Sequence, residues 1–252
     1  ITNRVWRNFM GVGLVEQVDD MRASNPASNE ELLAALAAWL VDEDYNLKSL
    51  MRLILQSETY QRSSETLATN KGDTRHYSRC FPRRLMAEVM LDAISQVTDV
   101  PTAFTQIAFP GGDFQKTNYY EEGTRALQLY DSAVDSYFLR TFGRNQRRIT
   151  CECERSNDPS MVQVLHISNG RTLNDKLGAE NNSITHWETA FEGNDAGLLD
   201  EMFLTSLSRL PQQHEKQQLL ELLAETPADT RREVLEDILW SMLSSREFLF
   251  TH

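Results

Sequence analysis

Residues 28–55 read SNEELLAALAAWLVDEDYNLKSLMRLIL. Leu32, Leu33, Leu36, Trp39 and Leu40 fall on one helical face, and so do Leu47, Leu50, Met51, Ile54 and Leu55. Apolar residues at i, i+3, i+4 and i+7 mark amphipathic helices. Ser28-x-x-Glu31 reads as a capping box for the first helix, and Asn46 as the cap of the second. Two adjacent helices with short polar punctuation set the expectation for the whole chain.

The same rhythm extends in both directions. Upstream, Val5, Trp6, Phe9 and Met10 have helical spacing, and Gly11 and Gly13 stop that helix. Residues 62–79 are polar and read as a loop. Pro82 suits a first helical turn, followed by Met86, Val89, Met90, Ala93, Ile94 and Val97 on one stripe. A short helix is expected over Ser132–Phe142, closed by Gly143. Asp158-Pro159 reads as the start of another, holding Met161 through Ser168 and ending at Gly170. Leu199, Met202, Phe203, Leu207 and Leu210 form a stripe that stops at Pro211. Leu219, Leu220 and Leu223 form the next. Thr226-Pro227-Ala228-Asp229 reads as the opening of the last helix, with Val234, Leu235, Ile238, Leu239, Met242 and Leu243 buried. Residues 98–128 break the rhythm with clustered Phe, Tyr, Gly and Pro, and long irregular regions tend to be functional. No segment alternates long enough to predict a strand. The pattern predicts an all-α, irregular multi-helix fold with a long aromatic, Gly- and Pro-rich loop region around 98–128. It reads as one helical domain over 1–252, divisible into 1–97, 98–170 and 171–252.

Composition agrees. Gly and Pro number 11 and 7 in 252 residues, about 7% where roughly 12% is usual. A net charge of −12 repels phosphates and argues against nonspecific nucleic-acid binding. No apolar run reaches the length of a membrane-spanning helix. The 4 Trp, 7 Tyr and 11 Phe exceed what a disordered chain carries. The chain starts inside a helical pattern without Met, and so reads as the C-terminal piece of a longer protein.

The densest polar cluster is Cys151-Glu152-Cys153-Glu154-Arg155-Ser156. It precedes a helix N-terminus, whose free N–H groups and partial positive charge lower a nearby thiol pKa. One reading is a redox-active or metal-binding pair. A metal needs four ligands, so Cys80 and His76 or His166 would have to converge on Cys151 and Cys153. The C-x-C spacing is not the usual zinc spacing. The other reading is a pair of buried thiols, with Glu154 and Arg155 tying a loop to a helix. His166 is a candidate ligand or general base, or else a satisfied core histidine. Cys151, Cys153, Glu154, Arg155 and His166 are therefore the catalytic candidates. Asp19-Asp20-x-Arg22 with Asn25-Pro26 lacks EF-hand spacing and fits an Asp–Arg clamp better than a Ca²⁺ or sugar site. Arg83-Arg84 reads as a solvated or salt-bridged helix start. Arg144, Arg147 and Arg148 form a basic patch in reach of Glu152 and Glu154. Tyr119, Tyr120 and Tyr130, expected to be exposed, are candidate sugar-binding rings. No haem-attachment, Walker A, Rossmann, G-x-S-x-G or H-E-x-x-H signature is present, so no cofactor is expected within this segment.

Asn3-Arg4-Val5-Trp6 followed by Phe9-Met10-Gly11-Val12-Gly13-Leu14-Val15 resembles the opening of a planctomycete and verrucomicrobial C-terminal domain of unknown function. Asp19-Asp20, Asn25-Pro26, Ser57-x-Thr59-Tyr60, Pro82-Arg83-Arg84-Leu85 and Phe142-Gly143-Arg144 continue the likeness. So do Cys151–Ser156, Leu165-His166, Asn169-Gly170 and the tail Leu239–Phe250. The resemblance implies a module of large exported proteins, periplasmic or secreted, often with an upstream cytochrome-c-like domain carrying haem c. Its implied partners are the upstream domains of the same polypeptide; an extracellular polymer is a further candidate partner of the chain. It implies no reaction. The chain thus reads as a structural or interaction module; the alternatives are a hydrolase or redox enzyme acting outside the cell, or a carbohydrate-binding module.

Overall fold

The computed structural model describes residues 1–108, 112–130, 133–144 and 160–251, and these are predominantly helical. The chain divides into two compact units, Ile1–Arg83 with the chain end from Thr251, and Arg84–Phe250. No helix among the described residues is long and apolar enough to cross a membrane.

The first unit holds α1 (Thr2–Met10), α2 (Glu30–Asp42) and α3 (Leu47–Leu55). Their apolar stripes meet in a core of Val5, Trp6, Met10, Leu14, Leu36, Leu40, Leu50, Ile54 and Tyr77. Each fully buried Leu or Ile there contributes about 2 kcal/mol. The Trp6 indole packs edge-on against Tyr77 at 5.3 Å. Asn46 caps α3 as expected, accepting from the Lys48 and Ser49 N–H groups. The cap of α2 is Asn29, not Ser28: Asn29 Oδ1 accepts from Leu32 N at 2.9 Å. Ser28 N donates to Leu14 O at 2.7 Å, which ties Ser28 to the segment after α1 and starts the helix one residue later. Residues 62–79 form the expected loop. Within it the Ser78 hydroxyl beside the Asp73 carboxylate, together with the N–H groups of His76, Arg75 and Ser78 that donate to it, holds it well below the usual carboxylate range.

Arg83-Arg84 is extended, and Pro82 precedes that stretch rather than opening a helix. The chain end explains this: Arg83 N donates to Thr251 Oγ1, and Leu85 N donates to Leu249 O. Neither arginine is a solvated helix-start residue, because each guanidinium is partly buried and donates to a backbone carbonyl. Arg83 reaches Phe9 O at 3.1 Å, passing so close to Gly11 (φ +84°) that a Cβ there would lie 2.9 Å from Arg83 Cδ.

The second unit begins with α4 (Ala87–Thr98). Met86, expected in its buried stripe, is exposed and only starts the helix, whereas Ala87, Met90, Leu91, Ile94 and Val97 are buried. Asp99, at φ 56°, ends it in the left-handed region. The described residues of 98–128 are largely irregular as expected but hold two short strands that were not, β1 (Gln106–Ala108) and β2 (Phe114–Lys116). They pair antiparallel with Gln106 opposite Lys116 and Ala108 opposite Phe114. On its other side β1 takes up 133–135 through Ala108 N to Ala133 O and Asp135 N to Gln106 O. That pairing shortens the helix expected over 132–142 to α5 (Tyr137–Thr141), capped by Ser136.

The rest of this unit is α6 (Met161–Asn169), α7 (Arg171–Leu177), α8 (Ser183–Ala190), α9 (Asp195–Leu207), α10 (Gln213–Glu225), α11 (Arg231–Leu243) and α12 (Arg246–Leu249). The last long helix starts at Arg231 rather than at Pro227. Thr226 Oγ1 is engaged with Leu222 O at the end of α10, and 227–230 form a turn closed by Thr230 N to Pro227 O. The core runs through Leu91, Ile94, Leu139, Leu173, Ile184, Leu198, Leu199, Met202, Leu235, Leu239 and Leu243. Polar groups, from half-buried arginines to the buried Asn182, fix the helix ends around it. Arg209 pairs with both Glu215 and Glu247, at 2.7 and 2.6 Å, and its hydrogen bonds pull the Glu215 carboxyl down to about 2. Asn182 Oδ1 caps α8 through Ile184 N and Thr185 N, while its Nδ2 donates to the carbonyls of Lys176 and Leu177 that end α7. Arg232 completes this hub through Asn182 Oδ1, Thr185 Oγ1, Glu188 and Glu236.

Candidate functional site

The residues expected to carry chemistry fall into separate places. Cys151, Cys153, Glu154 and Arg155, with Asp158-Pro159, Arg147 and Arg148, lie outside the described residues. Cys80 and His76 belong to the first unit and His166 to the second. Among the described residues no cluster of His, Cys, Asp and Glu could hold a metal ion. Asp19, Asp20 and Arg22 form the clamp that their spacing predicts. Arg4 pairs with Asp19, Arg22 holds Asp20 through two bonds of 2.7 Å, and Asn25 Nδ2 donates to Asp20 O at 3.0 Å.

His166 sits on α6, which is capped by the reciprocal pair Ser160 and Gln163. Three aromatic rings surround the imidazole: Tyr137 at 5.2 Å, Phe138 at 5.5 Å and Phe142 at 6.0 Å. Its Nε2 lies 3.1 Å from Thr172 Oγ1. A Cβ on Gly170 would come within 2.1 Å of His166 O and 2.8 Å of its Nδ1, so glycine is required there by close approach. The aromatic setting desolvates the ring and lowers its pKa. Beside it Arg84 donates to Gln163 Oε1 and to Phe142 O, with its guanidinium 5.6 Å from the Phe142 ring centre. Gln163 Nε2 donates in turn to Thr141 O at 2.9 Å. Arg84 and Gln163 thus satisfy the last carbonyls of α5, where a cation also meets the negative end of the helix dipole. Arg144 lies 3.8 Å from the Glu88 carboxylate, both being nearly buried. Nothing in the local pattern signals the Arg84–Gln163 pair, since 79 residues separate its members.

The depressed His166 pKa sets a direction for stability. The unfolded imidazole takes up a proton near its ordinary pKa of about 6.5, while the folded one resists it. Stability is therefore complete above that pH and declines as pH falls below it. The urea midpoint is expected to drop between pH 7.5 and 5.5, and H166L is expected to flatten that slope. An unchanged slope in H166L would refute the assignment.

A second constellation is open to solvent. Tyr119, Tyr120 and Tyr130 form a triangle of rings, with centroids 5.5–5.8 Å apart. Tyr119 is 72% and Tyr130 59% exposed. Tyr120 anchors the group inward, its ring 6.4 Å from that of the buried Phe104. Mutual edge-on contacts hold such rings in place. Near these segments a cleft of about 370 Å³ opens between the end of α4 and the 101–102 and 123–125 stretches, lined by Gln96, Asp99, Thr102, Thr124 and Arg125 among others. Asp92, at its base, accepts from the N–H groups of Ala126 and Leu127 at 2.6 and 3.1 Å and so fixes the 123–127 wall. Sequence singled out the three tyrosines but not the cleft.

A family model described as PSD1, protein of unknown function (DUF1553), matches residues 1–223. No curated protein and no solved structure matches the chain. The match takes in both the Asn3–Val15 segment and the tyrosine cluster, and the chain belongs to the PSD1 family.

Proposed function

We propose that this chain is a non-catalytic interaction module of a larger exported protein, and that its ligand-facing surface is the tyrosine triangle, which takes carbohydrate. The observation that carries this is a pair of large rings, Tyr119 and Tyr130, left in water against a third, Tyr120, that packs on the core. Tyrosine buries much area at little side-chain entropy cost, so rings of this kind are typical binding anchors. The apolar C–H face of a sugar ring packs on an aromatic face, and its hydroxyls reach polar groups at the edge. The family resemblance supports a periplasmic or secreted location. It also supports upstream partner domains in the same polypeptide, one of them cytochrome-c-like and carrying haem c. An extracellular polymer fits such a module as ligand.

The test is affinity electrophoresis of the purified chain in gels containing soluble β-glucan, mannan or xylan. At least one polymer is expected to retard migration. Y119A/Y130A is expected to abolish the retardation, a loss of at least tenfold in affinity of the kind seen when interface aromatics are truncated. Both side chains are exposed, so the thermal midpoint stays within a degree or two. Retardation unchanged in Y119A/Y130A, or absent with every polymer, would overturn the reading.

A further inference from the structure

The three tyrosine rings are not coplanar. Tyr119 stands at 66° to Tyr120 and 70° to Tyr130, and Tyr120 at 47° to Tyr130. A flat crystalline polysaccharide presents many sugar rings in one plane and needs coplanar aromatic faces. Rings angled at 47–70° instead offer several faces to one bent chain.

Two of the cleft's walls adjoin the ring cluster along the chain, and Phe104 beside one of them packs on Tyr120. Thr102 lies two residues from Phe104, and Gly123–Arg125 begin three residues after Tyr120. Its volume falls in the range of small-ligand clefts. Its polar groups are the carboxylates of Asp92 and Asp99, the amide of Gln96, the hydroxyls of Ser95, Thr102 and Thr124 and the guanidinium of Arg125. This mixture of donors and acceptors matches sugar hydroxyls, each of which donates and accepts at once. Gly123, at φ +85°, has nothing within 4 Å of where a Cβ would sit, so the rim there is open.

Charge selects among glycans. The chain carries −12, and among the described residues of the cleft Asp92 and Asp99 face a single cation, Arg125, which lies 3.6 Å from Asp92, so polyuronates and sulfated chains are repelled at low salt. Resting on the carbohydrate reading above, we infer that the cleft is the polar subsite of the tyrosine triangle, and that the two together take a single, soluble, uncharged glycan chain.

Calorimetry on the whole chain tests this with β-1,4-gluco-, manno- and xylohexaose, crystalline cellulose and polygalacturonate as probes. At least one neutral hexasaccharide is expected to bind, with weaker binding to crystalline cellulose and none to polygalacturonate in 20 mM salt. Q96A/D99N is expected to weaken hexasaccharide binding about tenfold. Asn tolerates the left-handed backbone of Asp99, and the melting curve checks that the fold is kept. If Y119A/Y130A loses binding while Q96A/D99N binds like wild type, the subsite falls and the tyrosine reading stands. Tighter binding to crystalline cellulose or to polygalacturonate than to every hexasaccharide overturns the inference on ligand class. Absence of binding to any probe overturns the carbohydrate reading itself.

Discussion

Replacing Asn182 by alanine is expected to cost about 3–5 kcal/mol of stability. Asn182 is only 1% exposed, and its amide joins two helices head to tail. It caps the start of α8 with its oxygen and the end of α7 with its nitrogen. Alanine would leave two N–H groups and two carbonyls without their partner and would remove an acceptor from Arg232. A buried polar group without a partner costs about 1–3 kcal/mol, and loss of a cap about 1 kcal/mol. N182D provides the contrast. It keeps the cap and the Arg232 contact but faces the Lys176 and Leu177 carbonyls with an acceptor, so roughly half the loss is expected. Urea unfolding followed by circular dichroism measures both. A change below about 1 kcal/mol in N182A would show that water replaces the amide.

The second large effect is expected at Asn3. Its side chain, 4% exposed, closes a two-bond ring with the Val15 backbone: Nδ2 donates to Val15 O at 2.9 Å, and Val15 N donates to Oδ1 at 3.1 Å. This ring imitates one rung of a strand ladder and pins the 11–15 segment against α1. Gly13 allows the approach, since a Cβ there would meet Val15 O at 2.4 Å and Asn3 Oδ1 at 3.1 Å. N3A orphans both Val15 groups, and a loss of about 3 kcal/mol is expected. N3D keeps the acceptor only and is expected to recover little. Urea midpoints read by tryptophan fluorescence, with Trp6 one turn along the same helix, decide the matter. A loss of less than about 1 kcal/mol would remove Asn3 from the fold's main supports.

These two asparagines show what could be read in the sequence. The amphipathic helices α2, α3, α9 and α10 were legible because their apolar residues recur with period 3.6, and Asn46 because it adjoins such a stripe. The helices α7 and α8 were not. They are seven and eight residues long, each with few buried apolar residues, and they depend on Asn182, Arg232 and Ser183 reaching partners far along the chain. The NRVW opening marked a family before it had a mechanism. In the structure Asn3 and Arg4 hold the following loop through Val15 and Asp19, while Val5 and Trp6 enter the core. The tyrosines stood out as exposed-ring candidates, but their triangle brings Tyr130 onto a pair ten residues earlier. The cleft had no local signal, because its walls come from the end of a helix and a loop about 25 residues on.

The buried face of α11 has a practical consequence for anyone handling the domain. Leu235, Leu239 and Leu243 are fully enclosed, and α11 packs on α9 and α7, yet it lies beyond residue 223, where the family match ends. A fragment cut at the edge of the match would lay bare the apolar surface that this helix covers and would be prone to aggregate and to protease attack. The expression boundary for this module therefore belongs past α12, not at the border by which its family is matched.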